Sequence, residues 1–120
     1  MLTIAEAGRK FRSRELSPET LTEMFLDRIQ RENPRLNAFY EVFWDQARAM
    51  ASEAAIELRA GLDRGPLHGI PIGIKDLIDV KGTRTTAGAH PGFHPPAAIE
   101  DATVVERLRA AGAVFLGKTG

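Results

Sequence analysis

The chain contains no cysteine, which excludes a disulfide framework, a thiolate nucleophile and any thiolate metal site. It also lacks an excess of either charge, since 16 Lys and Arg residues balance 16 Asp and Glu. No global field draws in a phosphate backbone, and the densest basic cluster, "RKFRSR" from Arg9 to Arg14, is too small to supply a local one, so no nucleic-acid contact is expected. No stretch approaches the roughly 20 apolar residues of a membrane span, and the start "MLTIAEAGRKF" carries no hydrophobic leader. The expectation is a chain with no membrane partner and a cytoplasmic location. Serine is scarce: Ser13, Ser17 and Ser52 are the whole supply. What remains is ordinary globular composition, 43% hydrophobic and 27% charged over 120 residues, enough for one domain that buries roughly 65% of its unfolded surface.

Local signals place the elements. Thr3 is a candidate cap for a short helix with Ile4, Ala7 and Phe11 on its apolar face, ending near Ser13. Ser17 and Pro18 open a second helix in which Leu21, Met24, Phe25 and Ile29 recur at helical spacing, and Asn33-Pro34 is expected to stop it. "NAFYEVF", Asn37 to Phe43, reads as a short strand. Ala47, Met50, Ala51, Ala54, Ala55 and Leu58 then form a small-residue helical stripe up to Gly61. Gly65-Pro66 and Gly69 mark a turn, and Ile70 to Ile74 reads as a buried strand closed by Lys75-Asp76. After a long loop, Asp101 is expected to cap a helix carrying Val104, Val105, Leu108 and Ala111, with Gly112 as its stop and Ala113 to Leu116 as the next strand. Strand, loop, helix, strand is the order of a parallel βαβ unit.

The last nine residues, "GAVFLGKTG", match the phosphate-loop pattern G-x-x-x-x-G-K-[ST]. A working phosphate loop needs a strand before its first glycine and a helix opening at its lysine, so that N–H groups face the anion. Here the order is inverted. Gly112 ends a helix, Phe115 and Leu116 belong in a core, and Gly117 reads as a strand-to-loop turn. Nucleotide binding through Lys118 is not expected.

Lys75 is the better candidate for chemistry. It follows five apolar or glycine residues and so sits at the carboxyl end of an inner strand, where open α/β sheets build their sites. Position alone admits a second reading, in which Lys75 snorkels to solvent or pairs with Asp76 or Asp79. His90 and His94 have i, i+4 spacing, but Pro91, Gly92 and Pro95-Pro96 preclude the regular helix that would bring them to one face, so a loop pair is expected and no metal site. Asp76 is expected to orient local backbone or Lys75, Asp79 to stabilise the turn before Gly82, and Thr85, Thr86 and Gly88 to shape a loop.

The run "GPLHGIPIGIKDLIDVKGTRTTAG", followed by "DATVVERLRAAGAVFLGKTG", closely resembles the amidase signature family of serine amidohydrolases in the region before its Gly/Ser-rich signature. The match is dense from Gly65 to Gly120 and looser before it, and Gly120 stands where that family frequently has asparagine. The resemblance implies an α/β fold: N-terminal helices followed by the beginning of a mixed, largely parallel sheet with packed helices. Residues 1–120 would be the N-terminal part of a single amidase domain, with the amidase-signature fold incomplete. It further implies hydrolysis of a small-molecule amide by a Ser, cis-Ser, Lys triad whose lysine is Lys75, with no cofactor. An amine with the ordinary lysine pKa of about 10.4 is overwhelmingly protonated at neutral pH, so apolar neighbours such as Ile72 and Ile74 are expected to bury it and favour the neutral form. None of the three serines lies in a glycine-rich turn, so this segment alone is expected to be inactive. The family also includes one of the subunits, designated A, of the glutamyl-tRNA amidotransferase, so the implied partners of a longer parent are a second copy or amidotransferase subunits.

Overall fold

Thr3 starts the first helix with a reciprocal cap: its hydroxyl accepts from the Glu6 N–H at 3.1 Å while its own N–H donates to the Glu6 carboxylate. The computed structural model describes residues 2–90 and 92–120, and this helix, α1, spans Ile4–Ser13. Ala7 and Phe11 bury against Leu21 and Ile70, while Ile4 at the helix start lies outside that contact and is exposed.

Ser17 caps α2, Pro18–Leu36, by accepting from the Thr20 N–H at 3.0 Å. The expected stop at Asn33-Pro34 does not occur. Pro34 sits in the last turn, where its missing N–H forfeits a single ladder bond, and the helix closes at Asn37, which is left-handed and donates its N–H to the Asn33 carbonyl at 2.7 Å. The Asn33 side chain then takes both backbone groups of Phe39, at 2.9 and 3.0 Å, and so launches the next strand. The buried face of α2 carries Leu21, Thr22, Leu26 and Ile29, leaving the expected Met24 in solvent. Leu26 and Ile29 meet Ala47 and Ala51 of α3, Trp44–Arg59, whose small buried residues permit close approach.

Three strands form one sheet in the order β1-β3-β2. β1, Phe39–Val42, runs antiparallel to β3, Val114–Thr119, and β2, Pro71–Lys75, runs parallel to it. The sheet is thus mixed, with one ladder of each kind. Its centre, β3, is longer than the expected Ala113–Leu116, and Gly117 is no turn. It lies inside the ladder against β1, so close to the Glu41 carbonyl that a side chain there would collide with backbone. Alternation along β3 sends Val114 and Leu116 into the core beneath α2 and α3, and Ala113 and Phe115 into a second core with Ile74, Val80 and Val105.

The second core is covered by α4, Thr103–Ala110, which links β2 to β3 as expected of a βαβ unit. Asp101 is not its cap. Ala102 holds that position without a side-chain bond, because the Asp101 carboxylate is engaged by the Lys81 N–H at 2.9 Å and by the Arg109 guanidinium at 2.9 Å. Val105 is the buried residue of this short helix and Val104 is exposed. Among the described residues no helix is long and apolar enough to cross a membrane.

Candidate active site

Lys75 is the last residue of β2, in register with Thr119 at the carboxyl end of the parallel ladder. Its backbone is held on both sides: the Asp76 N–H donates to the Thr119 carbonyl at 2.8 Å, and the Lys75 carbonyl accepts from the Ile78 N–H at 3.0 Å. Its side chain is exposed and makes no ion pair with Asp76, Asp79 or any other described carboxylate. The expected burial among Ile72 and Ile74 is therefore corrected. Neighbouring strand residues point to opposite faces, so Ile74, buried against Phe115 and Val105, cannot enclose the amine of Lys75. The expectation of a strand buried on both faces is corrected as well: β2 is an edge strand with β3 as its one partner, and Gly73 and Lys75 lie open.

The carboxylate beside it has a different partner. Asp76 is 4% exposed and faces the ammonium of Lys118, which is 1% exposed. Lys118 Nζ donates to the Ile78 carbonyl at 2.8 Å and lies 3.4 Å from both Asp76 Oδ1 and Thr85 Oγ1. Asp76 also accepts from the Thr86 N–H at 3.2 Å and from the Thr86 hydroxyl, and its carbonyl accepts from the Ala87 N–H at 2.8 Å. The Thr85 hydroxyl donates to Asp79 Oδ1 at 2.6 Å, and the Asp79 carbonyl accepts from the Ala102 N–H. The "TTAG" segment is thereby folded back over the end of β2, with Ala87 held at φ 53°. Asp76 orients local backbone as expected, but the lysine it engages is Lys118.

In the sequence, Lys118 stands out only as the lysine of a phosphate-loop pattern. The structure bears out the rejection of that loop, since Gly112 follows α4 and Lys118 lies within β3. Sequence reasoning misses the buried pairing. The available signal is the ladder itself: a lysine continuing the apolar run Ala113–Leu116, parallel to a strand that ends in Lys75-Asp76.

The other candidates lie elsewhere. Ser13 ends α1, Ser17 caps α2 and Ser52 is inside α3, so none stands at the carboxyl edge of the sheet. His90 and His94 are exposed, with His90 Nδ1 accepting from the Gly92 N–H at 2.9 Å. Pro91, between them, is outside the described residues, and among the described residues no group of three or more His, Asp or Glu could hold a metal ion.

A chain with this β2–α4–β3 unit and a lysine at the strand end can be compared with known proteins. Residues 20–120 match the family model described as Amidase. The chain belongs to the amidase family. The amidase segment is 47% identical over 121 residues to the putative amidase AmiB2 of Mycobacterium tuberculosis, covering 97% of this chain and 26% of that protein. It is 44% identical over 119 residues to the GatA-type subunit of the glutamyl-tRNA(Gln) amidotransferase of Mesorhizobium japonicum, covering 98% of this chain and 22% of the relative. Among solved structures, the native peptide amidase from Stenotrophomonas maltophilia superposes with a TM-score of 0.84 at 44% identity, over 98% of this chain and 24% of that one. The amidase chain thus spans about a quarter of the length of the relatives it matches.

Proposed function

We propose that these residues belong to an amidase that hydrolyses a carboxamide C–N bond to carboxylate and amine, with Lys75 as the base of a Ser, cis-Ser, Lys triad. The observation that carries this reading is the placement of Lys75, an amine projecting without a partner from the carboxyl end of a strand whose backbone is held at both neighbouring positions. In this mechanism the neutral Lys75 amine takes a proton from a bridging serine, which takes one from the nucleophilic serine as its oxygen adds to the carbonyl carbon. The C–N bond breaks, the proton held on Lys75 passes back to the leaving amine, and water repeats the relay to release the carboxylate. Both serines and the oxyanion donors come from polypeptide other than residues 1–120, which would also enclose Lys75 and favour its neutral form.

A second reading is a component of an amidotransferase that passes ammonia to a partner, supported by the 44% identity to the glutamyl-tRNA(Gln) amidotransferase relative. One experiment addresses both. In the full-length polypeptide containing these residues, Lys75→Ala and Lys75→Arg are expected to abolish amide turnover while the protein stays folded, because neither supplies a proton-accepting amine. Near wild-type turnover by either variant defeats the triad assignment. Hydrolysis of simple amides by the isolated wild-type polypeptide favours the stand-alone enzyme, whereas ammonia release from glutamine that needs added subunits favours the amidotransferase.

A further inference from the structure

We infer that Lys118 is a positioning residue for Lys75, bracing from behind the strand end that carries the amine. The inference rests on the triad reading above. Ile74 and Lys118 are register partners in the parallel ladder, and Asp76 follows Ile74 by two residues, so all three share one face of the sheet. Lys75 stands between Ile74 and Asp76 and points to the opposite face. The backbone that presents the proposed base is therefore fixed on its far side by a buried cation and carboxylate.

The contacts of Lys118 are distributed as a brace requires. Its ammonium has three N–H groups and three acceptors, the Ile78 carbonyl, Asp76 Oδ1 and Thr85 Oγ1. These come from three points along the connection that leaves β2, and Asp76 gathers a fourth by accepting from Thr86. Without them, the end of an edge strand is held to β3 by the Asp76 N–H bond to Thr119. Stability alone is a poor reason for such a pair, since burying two charges costs about as much as their attraction returns. An apolar side chain would satisfy the core of Phe115, Val105 and Ile74. What the pair supplies is a single geometry, and proton transfer depends on geometry: misplacing a reacting group by about 1 Å costs on the order of 100-fold in rate.

The test uses the full-length polypeptide with Lys118→Met, Asp76→Asn, the double variant and Lys75→Ala as reference, each checked for folding by circular dichroism and thermal unfolding. Lys118→Met is expected to lower kcat on the order of 100-fold with KM within about twofold, since it displaces the base and not the substrate. Asp76→Asn should behave alike. The double variant should lose little more than either single one, because the two side chains act as a unit. Folded Lys118→Met with wild-type kcat, or a loss confined to KM, overturns the inference. Where Lys118→Met fails to fold, Thr86→Val decides, since Thr86 is half-buried and touches the brace from its rim: about tenfold lower kcat supports the inference and an unchanged kcat overturns it. The two levels remain separable, because active Lys75→Ala defeats the triad reading, whereas inactive Lys75→Ala beside fully active Lys118→Met defeats the brace alone.

Discussion

The imidazole of His68 occupies the space where a side chain on Gly112 would have to stand. His68 is fully buried, its Nε2 meets Glu57 Oε1 at 3.0 Å and its Nδ1 accepts from the Arg64 N–H at 3.1 Å, so the ring has no room to yield. Gly112 has φ 80°, and its carbonyl accepts from the Gly69 N–H at 2.9 Å, tying the end of α4 to the entry of β2. One glycine therefore satisfies both a left-handed helix end and a packing constraint.

Gly112→Ala is expected to destabilise the protein by about 3 kcal/mol, of which about 1–2 kcal/mol is the left-handed backbone and the rest the displaced ring. Urea unfolding of this variant beside His68→Ala and the double variant checks the division. The steric part should vanish once the ring is gone, giving a non-additive cycle, and additive effects would show that the contact does not matter.

Thr22 is fully buried in α2 with a hydroxyl that has no hydrogen-bond partner among the described residues. Replacing it by a methyl group of the same shape relieves an unsatisfied polar atom. Thr22→Val should raise stability by about 1 kcal/mol, measured as a higher midpoint in urea at unchanged slope. A lower midpoint would mean that the hydroxyl is satisfied in solution.

Three guanidinium pairs set the response to acid. Arg64 holds the Glu57 carboxyl below the usual range, with help from His68; Arg12 and the Gly65 N–H do the same for Asp63, as do Arg109 and the Lys81 N–H for Asp101. Each folded value lies below its unfolded one, so the stabilisation is fully present above the ordinary carboxylate range and is lost as pH falls through the folded values. The melting temperature is expected to be level from pH 7 to about 5 and to drop below about 4. Asp101→Asn should flatten part of that drop; an identical acid profile would show that the pair contributes nothing to it.

Lys118 is too deeply buried to meet a nucleotide, and the segment from Gly112 to Thr119 has strand geometry where a phosphate loop needs a turn and a helix. Titration of the protein with a fluorescent ATP analogue and magnesium should give no saturable signal. Saturation that disappears in Lys118→Ala would revive the phosphate-loop reading.

The elements that can be read along the chain are those whose causes are local. Thr3 and Ser17 cap helices through bonds three residues away, Gly112 ends α4 through its own dihedral angle, and the apolar runs that form β2 and β3 announce themselves residue by residue. The amidase resemblance is legible for the same reason, being carried by short contiguous runs around Lys75. Local reading fails where the deciding partner is distant. The C-terminal end of α2 is closed by Asn37 and followed by the bonds of Asn33 to Phe39, which lets Pro34 remain helical. Asp101 reads as a cap, but its carboxylate is drawn to the Lys81 N–H, 20 residues back.

The sequence by itself determined where the helices and strands lie, their βαβ order and the position of Lys75 at a strand end, because periodicity and capping act within a few residues. Only the tertiary structure decided that Lys75 stands open on the edge strand while Lys118 is sealed beneath it. That outcome depends on pairing β2 with β3, which brings Asp76 to a lysine 42 positions along the chain. Burial of a charge is a property of such distant pairings, and no local pattern around "GKTG" could distinguish an anion-binding lysine from one that holds the sheet together.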